Sequence, residues 1–324
     1  MTAATLHAVK PEEEGMRLDR WCRLRFPGLT NAYLNKLLRT GQVRLDGARV
    51  KGNARVTAGQ EVRLPPLAFP KGVRDAPPAA AAPLKPKERA LLEAMVLYSD
   101  EDILVLNKPA GLAVQGGTGT SRHVDGLLES WASELGERPR LVHRLDRDTS
   151  GVLVVARRRH VAAALGRLFA TRKVEKEYWA VVQGVPHPRD GIIDMPLLKL
   201  SGLKGDRVRD GTGREEARRS VTLYRTADQA GQAFAFVVLM PRTGRQHQLR
   251  AHMAHIGHPI LGDDKYGGDR AVPAAIANRL HLHARRIVFP HPRTGKPVSV
   301  AAPLSDTMQA TFETLGFDQR SDPG

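Results

Sequence analysis

The amino-acid sequence predicts an α+β protein in which a small N-terminal domain precedes a larger domain with a mixed, largely antiparallel sheet. Apolar runs typical of strands outnumber helical patterns and do not alternate strictly with them, which argues against a doubly wound parallel sheet. A Pro- and Ala-rich stretch over residues 66–90 has the composition of a linker between two domains. The 324 residues, 41% of them apolar, suffice for a sizeable core and about two domains.

The small domain is predicted over residues 16–65. Apolar residues recur at helical spacing around Trp21, and Thr30 fits the N-cap of a second short helix that ends at Gly41. The following segment, VRLDGARV, contains the Asp-Gly signal of a β-hairpin turn, and EVRLP reads as a further strand. We therefore predict a compact module with two helices and a few short strands.

The charge of the chain indicates an extended polyanion as a partner. There are 50 Lys and Arg residues against 34 Asp and Glu, which leaves a net charge of +16. Nucleic acid fits this balance best, although an ordinary basic surface or attraction to anionic lipid remains open on charge alone. The small domain contributes more cations than its folding needs, and the predicted RNA contacts among them are Arg39, Arg44, Arg49, Lys51 and Arg55.

The larger domain is predicted over residues 91–305, followed by a C-terminal tail over 306–324. Apolar runs at 103–107, 152–156, 178–182, 220–224, 234–240 and 286–289 indicate its strands. Helical patterns are fewer and lie at about 122–135, 160–172 and 246–256. The glycine-rich stretch at 116–120 lacks the lysine of a phosphate-binding loop, so we interpret it as a flexible loop.

Targeting and redox signals are absent from the sequence. Residues 1–15 carry three successive glutamates and no apolar stretch, which argues against a signal peptide and predicts an N-terminal tail. No run approaches the length of a membrane span, so we expect no membrane partner. The single cysteine, Cys22, excludes an intramolecular disulfide and lies in an apolar pattern, so we expect a core residue and a cytoplasmic location.

The segment HRLDRDTSG, residues 143–151, is the first that indicates chemistry. Asp146 stands among cations just before an apolar strand, and a nearby arginine keeps a carboxylate ionised, as a nucleophile must be. An acidic turn capped by its own Thr149 and Ser150 is the simpler interpretation of one aspartate in a loop. Asp146 and Asp148 also suggest the two carboxylates of a glycosidase. HRLD resembles the HRD motif of the kinase catalytic loop, but the asparagine that follows HRD in kinases is missing.

The segment PRTGRQHQLRAHMAHIGHPILGDDKYG, residues 241–267, is the second. Its glycine and basic residues precede a helix that carries Arg250, a position suited to a phosphate or a carboxylate. The histidines at 252, 255 and 258 suggest zinc, but no carboxylate or thiolate stands at ligand spacing, so we predict no metal.

Tyr178 lies at a strand entry in the third segment, KVEKEYWAVVQG. A tyrosine in such a place is most often a core residue, but it also offers a stacking platform to a base that has been flipped out of a nucleic acid.

Taken together, these segments resemble the RluA/RluC/RluD family of bacterial pseudouridine synthases, from about Met16 to Pro303. HRLDRDTSG matches the catalytic motif of that family, and ILVLNKPAGLAVQGG, EKEYWAVVQG, TGRQHQLRAH, GHPILGDDKYG and LHLHA match in the same order. The N-terminal module resembles the small RNA-binding domain that many members share with a ribosomal small-subunit protein. The matches favour the C type, which acts on large-subunit ribosomal RNA.

The resemblance implies an isomerase that converts uridine in RNA to pseudouridine. Asp146 is implied as the nucleophile, attacking either the anomeric carbon of the sugar or carbon six of the base, with Arg250 paired to it. Tyr178 is implied to stack on the extruded uracil, Arg144 to fill the gap in the RNA, and Leu282 to form an apolar wall. His143 and Arg245 complete the predicted substrate contacts. No cofactor and no metal are implied, and a monomer is expected.

Two rival functions remain from the sequence. One is an RNA-binding or assembly protein with an inert synthase fold, which the set of Asp146, Tyr178 and Arg250 argues against. The other is a hydrolytic glycosidase, which requires a second carboxylate that faces Asp146 across a substrate.

Overall fold

The computed structural model describes residues 4–26, 28–66, 85–116, 122–135, 137–200, 207–268 and 272–321. The chain divides into two compact units, Met1–Ala80 and Ala81–Gly324. The glycine-rich stretch at 116–120 and the linker predicted over 66–90 lie largely outside the described residues. No helix among the described residues is long and apolar enough to cross a membrane.

The small unit is a four-stranded sheet covered by two helices. The helices are α1 (Leu18–Arg25) and α2 (Asn31–Arg39), and the strands are β1 (Thr5–Ala8), β2 (Arg44–Leu45), β3 (Ala48–Arg49) and β4 (Glu61–Leu64). The strands lie in the order β1-β4-β2-β3 and all their pairings are antiparallel. The core of the unit contains Leu18, Trp21, Leu34, Leu37 and the predicted core residue Cys22, all buried.

The helix and turn signals of the small unit are confirmed. The hydroxyl of Thr30 accepts a hydrogen bond from the backbone N–H of Tyr33, which makes Thr30 the N-cap of α2. Asp46 and Gly47 have φ values of 47° and 76°, as the two central residues of a type I′ hairpin turn require.

The prediction of an N-terminal tail over residues 1–15 is wrong, because the described part of this segment belongs to the small unit. Strand β1 pairs with β4 along its whole length, and Val9 is buried. Glu13 accepts hydrogen bonds from the Trp21 indole and the Arg25 guanidinium, and so fixes the segment to α1. A four-residue edge strand is too short to show an alternating pattern of its own, because its partner is more than fifty residues away.

The cations of the small unit differ in their surroundings. Arg39, Arg49, Lys51 and Arg55 are exposed. Arg44 is half-buried and donates to the backbone carbonyls of Gly41 and Gly47, so its guanidinium holds the hairpin turn as well as carrying charge.

The larger unit is built on one sheet with helices on both faces. Its helices are α3 (Pro86–Ala94), α4 (Val124–Leu135), α5 (Arg159–Ala170), α6 (Gln248–His255) and α7 (Asp306–Leu315). Its strands are β5 (Val96–Ser99), β6 (Ile103–Lys108), β7 (Arg140–Leu141), β8 (Ser150–Ala156), β9 (Glu175–Gln183), β10 (Asp190–Asp194), β11 (Leu197–Leu200), β12 (Arg207–Asp210), β13 (Val221–Ala230), β14 (Phe234–Pro241), β15 (Leu282–Pro290) and β16 (Pro297–Ala301).

Ten of these strands form a mixed sheet in the order β10-β13-β14-β9-β15-β8-β6-β5, with β16 paired to β15 and β7 to β8. Strands β8 and β15 pair in parallel, and the other strand pairings of the sheet among the described residues are antiparallel. The predicted α+β fold with a mixed, largely antiparallel sheet is confirmed.

The alternation of side chains along β6 shows which face of the sheet α3, α4 and α5 cover. Leu104 and Leu106 of β6 pack with residues of α3 and α4, whereas Ile103 and Val105 pack with residues of α5. A strand with apolar residues on both faces is expected in the middle of a sheet that helices cover on both sides.

Two boundary predictions of the larger unit are wrong. Residues 86–90, placed in the linker, belong to α3, whose Leu92 is fully buried. Residues 306–315, placed in the C-terminal tail, form α7, whose Met308 and Phe312 pack against Trp179 and Phe236. Ser305 caps α7 through a bond from the Met308 N–H, a helix-start signal present in the sequence.

Candidate active site

A cavity of about 500 Å³ lies where β8 and β15 begin and where β14 leads into α6. All seven residues predicted as catalytic or substrate-binding in the larger domain line it: His143, Arg144, Asp146, Tyr178, Arg245, Arg250 and Leu282. The cavity is within the size range of small-molecule sites. Segments that are far apart in the sequence therefore meet at one place, as the hypothesis of a single site requires.

The end of HRLDRDTSG is shaped by the parallel pairing of β8 with β15. Gly151 has a φ of 105°, and a Cβ at this position would lie 2.2 Å from the carbonyl oxygen of Ala284. Ser150 is buried and hydrogen-bonded through Oγ to Nδ1 of His283, at 2.8 Å. The Ser-Gly pair thus lets two strands approach closely directly after the aspartate loop.

A buried lysine holds the aspartate loop to the neighbouring strand β6. Lys108 donates to the carbonyl oxygens of Pro109, Leu112 and Arg147 over 2.8–2.9 Å, so all three of its N–H groups have acceptors. Burial lowers the pKa of Lys108 to about 7, although the negative charges of Asp148 and Asp146 act to raise it. Sequence reasoning did not single out this lysine, which follows Asn107 at the end of an apolar strand.

Asp146 is the carboxylate that faces the cavity. Its side chain is 20% exposed, and its Oδ2 lies 4.0 Å from Nε2 of His247. Of the described residues that line the cavity, Asp146 alone carries a carboxylate. Asp148 instead pairs with Arg147 at 3.0 Å on the surface, which removes the partner that a glycosidase pair requires.

The predicted ion pair between Arg250 and Asp146 is wrong. Arg250 donates two short hydrogen bonds to the buried carboxylate of Asp263 and one to Asp264, at 2.9 Å. Burial lowers the pKa of Arg250. The hydrogen bonds and charge of Asp263 and the charge of Asp146 outweigh this effect, so the pKa of Arg250 is raised. Arg250 thus acts on Asp146 through the field of a permanently charged group and not through a direct pair.

The reason for the different pairing is the turn GDDKYG after α6. Asp263 accepts bonds from the backbone N–H groups of Lys265 and Tyr266 as well as from Arg250. The turn places this carboxylate under the guanidinium, where the Tyr266 ring centroid lies 5.4 Å from the guanidinium carbon. Asp263 and Tyr266 were missed from the sequence, although the two consecutive aspartates before a tyrosine were visible.

His247 is a further residue of the site that sequence reasoning did not place there. It caps α6 in a left-handed conformation with φ of 52°, which is uncommon for a residue other than glycine and is found at functional sites. Its Nδ1 lies 3.0 Å from the hydroxyl of Tyr266, and its Nε2 faces Asp146. Burial lowers the pKa of His247, while the charge of Asp146 opposes this change.

The turn before His247 is held by Gln248. Its side-chain oxygen accepts from the Thr243 hydroxyl and the Arg245 backbone N–H, and its nitrogen donates to the Val221 carbonyl and the Thr222 hydroxyl. A buried amide with four bonds is fully satisfied. The glutamine of the sequence HQLR therefore fixes the turn on which Arg245 and His247 stand.

Tyr178 and Leu282 supply the apolar part of the cavity. Tyr178 lies on β9 and pairs across the ladder with Ala284 of β15, while Leu282 begins β15 and is buried. Burial, together with the charge of Asp146, raises the pKa of Tyr178, so its phenol is neutral at neutral pH. An aromatic face and an aliphatic wall thus lie beside one carboxylate.

The three remaining predicted residues differ in their contacts. The Nε2 atom of His143 accepts from the Val154 N–H, its ring stacks on Phe169 at 4.7 Å, and burial lowers the pKa of His143 to about 3. Arg245 is exposed and donates to the Arg219 carbonyl. Arg144 is exposed at the cavity. His143 therefore holds the loop onto β8, in addition to lining the cavity.

The histidines that suggested zinc do not converge. His252 is buried with Nε2 against the Met195 carbonyl, His258 contacts the Gln183 carbonyl, and His255 is exposed. Among the described residues, no group of three or more His, Cys, Asp or Glu side chains has the arrangement of a metal site.

Comparison with known proteins places these features in one family. The family described as RNA pseudouridylate synthase matches residues 102–255. Ribosomal large subunit pseudouridine synthase C of Escherichia coli strain K12 is 36% identical over 316 residues, which are 95% of each chain. The protein of the same name from Vibrio vulnificus is 35% identical over 305 residues, 93% of each chain.

Solved structures show the same fold. Human RNA pseudouridylate synthase domain containing 4 is 29% identical with a TM-score of 0.61, over 71% of this chain and 97% of that one. Human RNA pseudouridylate synthase domain containing 1 is 25% identical with a TM-score of 0.52, over 69% of this chain and 94% of that one.

Proposed function

This chain belongs to the RNA pseudouridylate synthase family, and we propose that it isomerises specific uridines of large-subunit ribosomal RNA with Asp146 as the nucleophile. The observation that carries the role of Asp146 is its position as the single carboxylate among the described lining residues, next to Tyr178 and Leu282. The relatives that are similar over 95% of the chain are named for the ribosomal large subunit, which supports the class of RNA.

The reaction exchanges one bond of the nucleotide for another. The bond between the anomeric carbon and nitrogen one of uracil breaks, and a bond from the anomeric carbon to carbon five forms. Carbon five loses a proton to solvent and nitrogen one ends with a proton, so atoms balance without an oxidant or water as a reactant. Asp146 attacks either the anomeric carbon or carbon six and leaves when the new bond is made.

Tyr178 has two roles, which follow one another as Asp146 reacts. In the free enzyme it is a neutral platform on which uracil stacks, because burial and the charge of Asp146 raise its pKa. When the Asp146 carboxylate is bound covalently, its negative charge is lost and this contribution to the pKa of Tyr178 disappears. The phenol then ionises more readily and gives its own proton to solvent, and the resulting phenolate can accept the proton that leaves carbon five.

The uridine must leave the RNA stack to reach this cavity. Extrusion costs a few kcal/mol of stacking and pairing. Arg144 is exposed, lines the cavity and lies two residues before Asp146, which supports a role for its guanidinium next to the extruded nucleotide. We assign it to fill the position that the uridine vacates and so offset the cost.

The small unit supplies affinity for RNA through phosphates. Arg39, Arg49 and Lys51 are exposed on it, and among the described residues none of them lies within 4 Å of a carboxylate. Replacing all three by Gln lowers the salt dependence of RNA binding, with a slope reduced by roughly 2–3. Lys10→Gln is the control, since Lys10 is already paired with Glu12. An unchanged slope in the triple variant contradicts the assignment.

Release of tritium tests the reaction and the nucleophile together. Ribosomal RNA labelled at carbon five of uridine is incubated with the wild type, with Asp146→Asn and with Asp148→Asn. We expect the wild type and Asp148→Asn to release tritium to water and Asp146→Asn to release none above background. Free uracil indicates a hydrolase, and tight binding without release indicates an inert RNA-binding protein; either outcome overturns the proposal.

The enzyme is further proposed to act as a cytoplasmic monomer that needs no cofactor. The balance of the reaction supports the last point, because it includes no redox step. Tritium release that persists after treatment with a chelator and gel filtration, together with a mass of one chain by light scattering, is the expected result. Activity lost with the chelator and restored by a metal contradicts it.

A further inference from the structure

We propose that Lys176 is the inner phosphate-binding residue of the cavity and contacts a phosphodiester next to the extruded uridine. This lysine has no part in the reaction steps described above. The inference rests on the proposed function, because it needs an RNA strand whose flipped nucleotide occupies the cavity.

The position of Lys176 follows from the geometry of β9. Residues two apart on a strand point to the same face, so Lys176 and Tyr178 lie on one face, about 7 Å apart along the strand. Both line the cavity. Glu175 at the start of β9 is exposed and the strand becomes buried from Trp179 onward, so Lys176 stands on the solvent side of the stacking platform.

The base, sugar and phosphates of a flipped nucleotide follow one another in the same direction, from the interior of the cavity toward solvent. Its base occupies the floor beside Tyr178 and Leu282, while its sugar and phosphates stay joined to the RNA strand outside. The phosphates therefore lie toward the cavity mouth, on the side of Tyr178 where Lys176 is found.

Lys176 has unused capacity to bind an anion. Its ammonium donates one long bond of 3.3 Å, to the carbonyl oxygen of Thr243, and can donate three. No carboxylate of the described residues lies within 4 Å of it. Burial lowers the pKa of Lys176 to about 8, which is the cost of a cation without a counter-charge. An RNA phosphate supplies that charge.

Two exposed cations extend the path outward from Lys176. Arg172 and Arg242 line the same cavity, and neither has a carboxylate partner among the described residues. Arg172 follows α5 with a φ of 59°, a conformation uncommon for arginine. Together with Lys176, these two arginines add positive charge to the lining of the cavity, which an RNA strand with phosphates requires.

The test removes the negative charge of the phosphate and the positive charge of Lys176, first one at a time and then both together. A short synthetic RNA is made around a uridine that the wild type converts, with a neutral methylphosphonate either 5′ or 3′ of that uridine. Initial rates of tritium release give kcat and KM for the wild type and for Lys176→Met. We expect Lys176→Met to raise KM for the unmodified RNA about tenfold.

With one of the two methylphosphonate RNAs, the KM of the wild type should rise to a similar degree. The KM of Lys176→Met should rise little further with that RNA, because this variant already lacks the pair of lysine and phosphate charges. Lys173→Met is the matched control, since Lys173 is exposed and does not line the cavity; it should lose as much as the wild type on the neutral RNA. The thermal midpoint of Lys176→Met should stay the same or rise, since a half-buried cation without a carboxylate partner among the described residues is removed.

Additive losses with both modified RNAs overturn the inference and leave Lys176 as a support for the Thr243 carbonyl. A wild type that converts no uridine in unmodified RNA instead contradicts the proposed function. The two failures are therefore distinguishable in the same assay.

Discussion

Nε2 of His247 lies 4.0 Å from Oδ2 of Asp146, and Nδ1 on the other side of the imidazole lies 3.0 Å from the Tyr266 hydroxyl. The Tyr266 oxygen also accepts from the Val208 N–H at 2.8 Å, so its O–H is available to donate to Nδ1. When it donates there, neutral His247 bears its proton on Nε2, facing the carboxylate. The left-handed backbone at His247 keeps the ring in this place.

Tyr266→Phe tests this arrangement. The variant keeps the ring beside Arg250 but removes the donor to His247, so the imidazole can adopt either tautomer and supports Asp146 less well. We expect kcat to fall about tenfold with KM nearly unchanged, and stability to fall by about 1–2 kcal/mol as Val208 loses its acceptor.

Tyr224→Phe is the control for Tyr266→Phe. Its hydroxyl donates to the Pro188 carbonyl, and Tyr224 does not line the cavity. A comparable loss of stability with an unchanged kcat is expected. If kcat falls equally in both variants, the effect of Tyr266 on His247 is not specific.

The pairing of Arg250 with Asp263 predicts a large difference between two neighbouring aspartates. Asp263→Asn leaves the Arg250 charge buried with a weaker partner and should cost about 3–5 kcal/mol, with loss of activity. Asp264→Asn removes an acceptor whose side chain is 69% exposed and should change stability by less than about 1 kcal/mol. Urea unfolding of both variants measures this, and equal effects would contradict the structural assignment.

The close approach of β8 to β15 predicts that Gly151 tolerates no side chain. Gly151→Ala adds a Cβ against the Ala284 carbonyl in a backbone conformation that L-residues rarely adopt, and should cost about 3 kcal/mol or more. Gly166→Ala, in the middle of α5 with open space at the Cβ, should stabilise by about 1 kcal/mol. Thermal midpoints that move in the same direction for both would count against this explanation.

Three histidines predict a loss of stability in mild acid: His252 and His283, which are buried, and His143, which is half-buried. Burial lowers the pKa to about 3 for His143 and to about 4 for His252 and His283, from 6.5. The unfolded chain therefore takes up these protons first, so the stability is fully present above pH 6.5 and is lost as the pH falls from 6.5 toward 4. At pH 5 each histidine costs about 2 kcal/mol.

Urea unfolding between pH 7 and pH 5 measures this loss. His143→Gln, whose amide oxygen can still accept from the Val154 N–H, should reduce the slope of stability with pH by about one proton. An identical slope in the wild type and the variant would show that His143 is protonated equally in both states.

The sequence by itself determined the local elements and most of the site. Thr30 before an apolar helix and Asp46-Gly47 between two short strands are signals that act within a few residues, and both formed as expected. The candidates Asp146, Tyr178 and Arg250 were found because they stand in long, distinctive segments, and all three line the cavity.

Only the tertiary structure decided the partners of these residues. Asp263 and not Asp146 binds Arg250, because the turn after α6 brings that carboxylate within 2.7 Å, and no spacing along the chain reveals which of two carboxylates comes nearer. The strand at Thr5–Ala8 and the helix at Asp306–Leu315 were likewise interpreted as tails. Their order comes from pairing and burial against residues distant in the chain, which a local pattern does not contain.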